Sequence, residues 1–171
     1  MLSMTPLFLL LFANGPMSLC DLMPRLQEFK NKMISVRGEL TLTKEFTDLG
    51  LHTCSQSQVF VTNGYRWPIG VHLAWPGYYG LRNFEGKTVS IDFEKDQKNF
   101  DDMLALYKRS KEPKTFHRLY VTVVGKLLVK DSYRVDDFGG GRKSSLDGFG
   151  QFGALPAQIV VKEIKDPRRD F

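Results

Sequence analysis

Several stretches of this 171-residue chain alternate apolar and polar residues with a period of two, the pattern of a β-strand with one buried face. A turn is predicted at Asp48-Leu49-Gly50. The alternating stretches and one longer β-rich run predict strands at 34–42, 51–54, 69–75, 88–93, 119–129 and 158–164. Gly38 and Gly125 lie inside two of these runs, and a glycine within a strand permits the sharp bend that a barrel corner needs. The sequence therefore predicts a mainly β chain that closes into a small barrel.

Two helices are predicted outside these strands. Pro24 can occupy the first turn of a short helix that continues to Lys30. Asn99 is a good N-cap for a second helix, which has acidic residues in its first turn and cannot continue past Pro113. The expected order is therefore three strands, a short extra strand, the second helix and two more strands.

The first fifteen residues differ from the remainder of the chain. Pro6 to Ala13 is an uncharged apolar run, shorter than the ~20 residues of a membrane-spanning helix and as long as a signal-peptide core. No Lys or Arg precedes this run, and a buried N-terminal strand or helix is the alternative. We expect a signal peptide at 1–15, one domain at 16–166 and a charged tail at 167–171. Such a chain would be exported to the periplasm, the outer envelope or the medium; an unprocessed chain would be cytoplasmic.

The expected oxidation state of the two cysteines, Cys20 and Cys54, depends on the compartment. In an exported protein they predict one disulfide, whereas in the cytosol they would be two reduced thiols. A metal site is not expected, because no C-x-x-C occurs and His52 with Cys54 supplies too few ligands for a tetrahedral set.

Several segments together resemble one group of proteins. FKNKMISVRGEL is similar to the Gly-Lys-x-Val-x-Val-x-Gly entry into the first strand of many bacterial OB-fold proteins, with Asn31 in place of the turn glycine. Asparagine tolerates the left-handed backbone of such a turn. With Cys54 and the segments CDLMPRL, WPIGVHLAWP, RLYVTVVGKL and GFGQFGALPAQIVVKEIKD, it resembles uncharacterised exported bacterial OB-fold proteins over about residues 20–166. The resemblance implies a five-stranded Greek-key barrel with one helix between strands 3 and 4 and a short N-terminal helix, and no particular activity.

The segment from Asp136 to Gln158 contains GFGQFG, which matches the dinucleotide-binding pattern G-x-G-x-x-G. A β-branched run follows it, so no helix N-terminus is available to hold a pyrophosphate, and a dinucleotide site is excluded. GGGRKSS also lacks the residue order of a P-loop. The segment is either a plain connector or a binding loop between strands four and five, in which Arg142 and Lys143 would meet an anionic ligand.

Aromatic residues beside basic residues are the other candidates for binding. Trp67 precedes the third strand, and Tyr78, Tyr79 and Arg82 follow it. In an OB-fold such residues stack nucleic-acid bases and contact phosphates, and the same rings could pack on sugars or hold a peptide.

No set of side chains typical of an active site is evident, since the histidines are scattered and the paired aspartates belong to a helix start and a turn. We expect no enzyme and no cofactor. The net charge of +5 is compatible with an anionic partner. The leading hypothesis is a non-enzymatic binding or structural module of the cell envelope or exterior, with an anionic ligand or an envelope component as partner. The alternative is a cytosolic protein that binds single-stranded nucleic acid through Trp67, Tyr78, Tyr79, Arg82, Arg142 and Lys143.

Overall fold

The computed structural model describes residues 15–42, 47–50, 54–55, 57–74 and 118–169, together with positions 101, 102, 105 and 108. The chain begins with a short strand β1 (Met17–Ser18), a helix α1 (Leu19–Leu22) and a 3₁₀-helix (Met23–Phe29). The strands that follow are β2 (Met33–Leu42), β3 (Thr47–Gly50), β4 (Val61–Thr62), β5 (Tyr65–Arg66), β6 (Gly70–Ala74), β7 (Leu119–Val129), β8 (Asp136–Asp137), β9 (Lys143–Ser144) and β10 (Ala157–Arg169).

The N-terminal helical segment begins after Ser18, which caps its first turn. The Ser18 side chain accepts a hydrogen bond of 3.1 Å from the backbone N–H of Asp21, and Pro24 lies in the first turn of the 3₁₀-helix, where no partner for its nitrogen is needed. The side chains that this segment buries in the core are Leu19, Leu22, Met23 and Leu26. The short N-terminal helix is therefore confirmed, although it begins earlier than the predicted Pro24.

Five strands close into a barrel. Their order around it is β2-β3-β6-β10-β7, and β7 pairs again with β2 to complete the ring. In chain order this is the first, second, third, fifth and fourth barrel strand. Neighbouring strands are antiparallel except β6 and β10, which run parallel and pair Leu73 with Ile159. The predicted mainly β barrel is confirmed, and its closed five-stranded form is compatible with an OB-like fold.

The alternating pattern of the strands places apolar side chains inside the barrel. Each barrel strand supplies at least one residue with an exposed fraction of 0%: Val36, Leu49, Val71, Val123 and Ile159. Complete burial of such a side chain contributes about 1.5–3 kcal/mol to the free energy of folding. The core of the barrel is thus the main source of its stability.

Both glycines predicted inside strands lie where neighbouring atoms leave no room for a side chain. A Cβ atom on Gly38 would lie 2.7 Å from the Cγ atom of Leu49, and one on Gly125 would lie 2.6 Å from the Cγ2 atom of Ile159. Such distances are below van der Waals contact, so close packing across the barrel requires glycine at these positions.

The predicted turn at Asp48-Leu49-Gly50 is wrong, because these residues belong to β3. Leu49 pairs with Leu40 on one side and Val71 on the other, and it is fully buried. Pairing on both sides outweighs the turn preference of Asp and Gly, since strand formation depends strongly on tertiary context. The last strand is also longer than predicted, and it extends from Ala157 to Arg169.

Other predicted elements lie outside the described residues: the leader as far as residue 14, the strand at 88–93, most of the strand at 51–54 and most of the second helix. Of that helix, Asp101, Asp102, Ala105 and Lys108 are described, and all four are helical and exposed. Within the described part of the chain, no helix combines the length and the apolar character needed to cross a membrane.

A disulfide joins Cys20 to Cys54, as the sequence predicts for an exported chain. Their Cα atoms are 5.3 Å apart, within the range that a disulfide requires. Cys20 lies in α1 and Cys54 lies four residues after β3, so the bond connects the N-terminal helical segment to the chain that leaves the second barrel strand.

Candidate binding surface

Two small hairpins carry the loops around the candidate surface. The first joins β4 to β5 through Asn63 and Gly64, which have φ angles of 49° and 75°. Two successive left-handed residues are the requirement of the tight two-residue hairpin turn that Asn-Gly favours. This hairpin projects Val61 and Arg66, which pair with each other across it, and both are exposed.

The glycine-rich stretch that precedes GFGQFG forms the second hairpin. β8 pairs with β9, and between them the Phe138 N–H donates to the Arg142 oxygen at 2.9 Å. Gly139, Gly140 and Gly141 all have left-handed φ angles, of 76°, 61° and 79°. These glycines therefore make a tight hairpin turn possible, and no phosphate-binding geometry is needed to explain them.

The GFGQFG motif itself folds into a compact turn. Gly148 donates its N–H to the Gly153 oxygen at 2.8 Å, and Phe149 and Leu155 exchange hydrogen bonds of 2.7 and 3.1 Å. A Cβ atom on Gly148 would collide with the backbone oxygens of Leu155 and Gly153 and lie 2.8 Å from the Trp67 ring. The motif is therefore glycine-rich because it packs closely on itself and on the core.

The turn also rests on the outer surface of the barrel. A Cβ atom on Gly150 would lie 3.2 Å from the Nδ1 atom of His72, which belongs to β6. His72 pairs with Asp48 of β3 and Gln158 of β10, and its Nδ1 atom lies 3.0 Å from the Asp48 carboxylate. The loop between β7 and β10 thus contacts the outer side of β6 at His72, on the strand that pairs with β3.

Ion pairs and hydrogen bonds hold this loop in place. Lys130 Nζ donates to the Asp147 carboxylate at 2.6 Å, and the backbone N–H of Arg134 donates to its other oxygen at 2.8 Å. The bond from Lys130, followed by that from Arg134, lowers the pKa of the Asp147 carboxyl below its usual value. The Tyr133 hydroxyl donates to the Pro156 oxygen and accepts from the Lys130 N–H. The loop is therefore an ordered part of the fold.

Four large apolar side chains are exposed among the described residues, and all four lie on this loop or on the β4–β5 hairpin. The exposed fractions are 49% for Val61, 64% for Phe138, 73% for Leu146 and 75% for Phe152. Contiguous exposed apolar groups mark sites of interaction, and these four side chains are the candidates for such a site here. We refer to these four residues as the apolar loop surface.

Phe152 combines this exposure with an unfavourable backbone. Its φ angle of 57° is left-handed, a conformation that costs a non-glycine residue about 1 kcal/mol or more. A glycine or an asparagine at this position would relieve the backbone and would remove an exposed ring. Phe152 thus combines an exposed ring with an unfavourable backbone conformation.

The residues predicted to bind a ligand have different positions and roles in the structure. Arg142 is exposed in the β8–β9 turn. Lys143 donates to the Asn63 oxygen at 2.6 Å and lies 3.9 Å from the Asp137 carboxylate, so it supports the hairpins. Tyr78, Tyr79 and Arg82 lie outside the described residues.

Trp67 belongs to the core. It is 2% exposed, its Nε1 atom donates to the Thr62 hydroxyl at 2.7 Å, and its ring lies edge-on to those of Tyr65 and Tyr133. Stacking on a ligand needs an accessible ring face, which Trp67 lacks in this structure. Of these partners Tyr133 is distant in the chain, and its approach could not be read from the residues next to Trp67.

Sequence reasoning did not select Phe138, Leu146 and Phe152 as site residues. The signal that the sequence offers is the position of Phe138 and Phe152 beside glycines, because a ring on a short glycine-rich turn has few neighbours to bury it. His72 lies between the buried residues Val71 and Leu73, so its side chain is on the outer side of β6. No group of three or more His, Cys, Asp or Glu side chains able to hold a metal ion occurs within the described residues.

The basic residues of the loop are close to acidic ones. Besides the pairs of Lys130 with Asp147 and of Lys143 with Asp137, Arg134 lies 3.1 Å from Asp136. The charges of the loop between β7 and β10 are therefore nearly balanced. Comparison of the chain with known proteins finds no family model, no curated protein and no solved structure that matches it.

Proposed function

We propose that this chain is an exported, non-enzymatic binding module with an OB-like fold, and that its ligand contacts the apolar loop surface. The observation that carries this proposal is Phe152, an exposed ring held on a left-handed backbone, 75% accessible to solvent. Strain that persists without a folding benefit is typical of functional positions.

The strand order and the position of the loop support the OB-like assignment. In OB-folds, ligands bind on the face of strands 2 and 3 and on the loops that join strands 1 to 2 and 4 to 5. The corresponding strands here are β3 and β6, and the corresponding loop is the connection from β7 to β10, which carries Phe138, Leu146 and Phe152.

The balanced charge of the loop that carries the rings supports a ligand of low charge. A single nucleic-acid strand needs a positively charged groove in addition to stacking rings, and its binding weakens steeply with salt. In this loop Lys130 and Arg134 lie near carboxylates and Lys143 lies on a backbone oxygen, which leaves Arg142 as the exposed base. An uncharged glycan or peptide of the cell envelope therefore fits this surface better.

The location outside the cytoplasm is supported by the disulfide and by the apolar run at residues 6–13. Intact mass spectrometry of the protein recovered from its native host tests this part of the proposal. Loss of about fifteen N-terminal residues is expected from the position of the small residues Ala13 and Gly15. An unprocessed, reduced chain in the cytosol would contradict it.

Binding is tested by NMR titration of the purified chain with N-acetylglucosamine oligomers, an uncharged peptide mixture and oligo(dT). We expect one of the uncharged probes to shift the amide signals of Leu146 and Phe152, and Phe152→Gly to abolish that shift. Shifts caused only by oligo(dT), with a strong dependence on salt, would instead support the nucleic-acid alternative.

A further inference from the structure

Three polar side chains form a row across the outer side of the barrel. His72 of β6 pairs with Asp48 of β3 on one side and with Gln158 of β10 on the other. Paired residues of neighbouring strands point to the same face of a sheet, and His72 points outward. Since neighbouring strands are about 5 Å apart, the row is about 10 Å long. We call Asp48, His72 and Gln158 the polar row.

The amide of Gln158 is buried without a partner. The residue is 9% exposed, and its side chain forms no hydrogen bond within the described part of the chain. A carboxamide has two donor hydrogens and an acceptor oxygen, and its burial without hydrogen bonds opposes folding. Buried polar side chains of native proteins are generally hydrogen-bonded, so a ligand at the polar row would supply what this amide lacks.

Asp48 sets the hydrogen-bonding role of His72. The Nδ1 atom of His72 lies 3.0 Å from the Asp48 carboxylate, and the two side chains are 15% and 23% exposed. A carboxylate only accepts, so in the neutral imidazole the proton is on Nδ1 and the Nε2 atom is an acceptor. Neither side chain has another hydrogen-bond partner among the described residues. The row therefore offers acceptors at His72 and Asp48 beside the donors of Gln158.

The polar row is next to the turn that carries Phe152. A Cβ atom on Gly150 would lie 3.2 Å from the Nδ1 atom of His72, so the GFGQFG turn rests on the imidazole. Phe152, with its exposed ring, follows two residues later. A few polar groups that fix orientation beside an aromatic surface are typical of a site for a small ligand.

The chemistry of the polar row favours a glycan over a peptide or a nucleic acid. At His72, β6 is hydrogen-bonded to β3 and to β10, so an extended peptide finds no strand edge there to pair with. The carboxylate of Asp48 disfavours a phosphate. A sugar hydroxyl both donates and accepts, so it can bond to every member of the row. The apolar face of a sugar ring can pack on an aromatic ring such as that of Phe152.

We propose that the polar row binds the hydroxyl groups of an uncharged glycan, and that Phe152 packs on one of its sugar rings. This assignment rests on the proposed function, because it names the ligand class of the apolar loop surface. It adds a second set of contacts, which can be tested separately from the first.

NMR titration of the full chain with N-acetylglucosamine oligomers and with maltooligosaccharides tests the proposal. One of these glycans should shift the side-chain amide signals of Gln158 and the Nε2 signal of His72, at a pH where the imidazole is neutral. Gln158→Met keeps the length of the side chain and removes its amide, so it should weaken binding about tenfold. Asp48→Asn no longer fixes the imidazole tautomer and should weaken binding by a similar factor.

The matched controls are Gln27→Met and Asp131→Asn, which make the same chemical changes at exposed side chains outside the polar row. Both should keep the affinity of the parent protein. Weakening by the controls equal to that by the row variants would overturn the proposal. Thermal unfolding of each variant verifies that it is folded.

The titration also separates this proposal from the proposed function. A glycan that shifts Leu146 and Phe152 but no side-chain signal of the polar row would overturn the present proposal and support the apolar loop surface. A glycan that shifts only the polar row would support the row and contradict the apolar loop surface. A response to neither glycan would overturn the proposal, and a response to uncharged peptides alone would do so while leaving the proposed function in place.

Discussion

The Nζ atom of Lys143 donates a hydrogen bond of 2.6 Å to the backbone oxygen of Asn63, 80 residues away in the chain. This contact links hairpin β8–β9 to hairpin β4–β5. The lysine side chain also lies against Gly64, where an added Cβ atom would be 2.9 Å from Nζ. The contact therefore couples the two hairpins, which carry Val61 and Phe138 of the apolar loop surface.

Replacement of Lys143 by methionine should loosen that coupling. The variant keeps the apolar part of the side chain and loses the charged hydrogen bond, which is partly exposed, so the free energy of unfolding should fall by about 1 kcal/mol. Hydrogen exchange at residues 61–66 should become faster. Arg142→Met is the matched control and should leave that exchange unchanged; similar effects of both variants would contradict the assigned role of Lys143.

Phe152→Gly should stabilise the protein while it weakens ligand binding. Glycine adopts the left-handed backbone without strain, and this gain exceeds the added freedom of the unfolded chain, so we expect an increase of about 0.5–1 kcal/mol in the free energy of unfolding. Denaturant titration measures it. A matched change at another exposed phenylalanine, Phe138→Gly, should give no such gain, because the relief is specific to the backbone of Phe152. A destabilised Phe152→Gly would show that its ring supports the fold.

The Cys20–Cys54 disulfide closes a loop with a sequence separation of 34. In the chain-entropy model such a bond contributes about 3–4 kcal/mol by restricting the unfolded state. Cys20→Ser and Cys54→Ser should each lower the melting temperature under oxidising conditions. Reductant should lower the melting temperature of the parent protein to a similar value and leave both variants unaffected; a parent protein indifferent to reductant would contradict the prediction.

Tyr133 should make stability sensitive to alkaline pH. Burial raises the pKa of its hydroxyl from 10.0 to about 12, and the nearby charge of Asp147 acts in the same direction. The neutral phenol is therefore favoured in the folded state. The contribution of this preference to the free energy of unfolding is fully present below pH 10 and is lost as the pH rises from about 10 to 12. The stability lost over this interval is about 2–3 kcal/mol.

The control for this titration is Tyr133→Phe. This variant should be less stable near pH 7, because the Lys130 N–H and the Pro156 oxygen each lose a partner, at a cost of about 1–3 kcal/mol. Between pH 10 and 12 it should lose less stability than the parent protein in urea titrations. Parallel curves for the two proteins would show that Tyr133 does not titrate as assigned.

Local patterns predicted the barrel strands well where the strand is long and one face is buried. The run Leu119 to Val129 has the same bounds in the sequence and in the structure. β3 was misplaced because Asp48 and Gly50 are turn residues by preference, and only pairing with β2 and β6 makes them a strand. Register and pairing involve residues far apart in sequence, which a local pattern does not contain.

The candidate surface was less predictable than the fold. The loop between β7 and β10 was identified from its position, and Arg142 is exposed there. Trp67 was one of the predicted binding residues, and its ring is packed in the core against Tyr133. Lys143 was predicted to meet an anionic ligand if this loop binds one, and its amine donates to the Asn63 oxygen. Both outcomes depend on how two distant hairpins meet.

The arrangement of the barrel strands also sets the order in which the chain can assemble. β10 is the last strand in the sequence, and it completes the ring by pairing with both β6 and β7. A growing chain cannot close the barrel before residue 160, which pairs with Ala74, has been synthesised. The long-range pairing of β10 with β6 therefore comes last, and the strands that it leaves unpaired until then are exposed to aggregation.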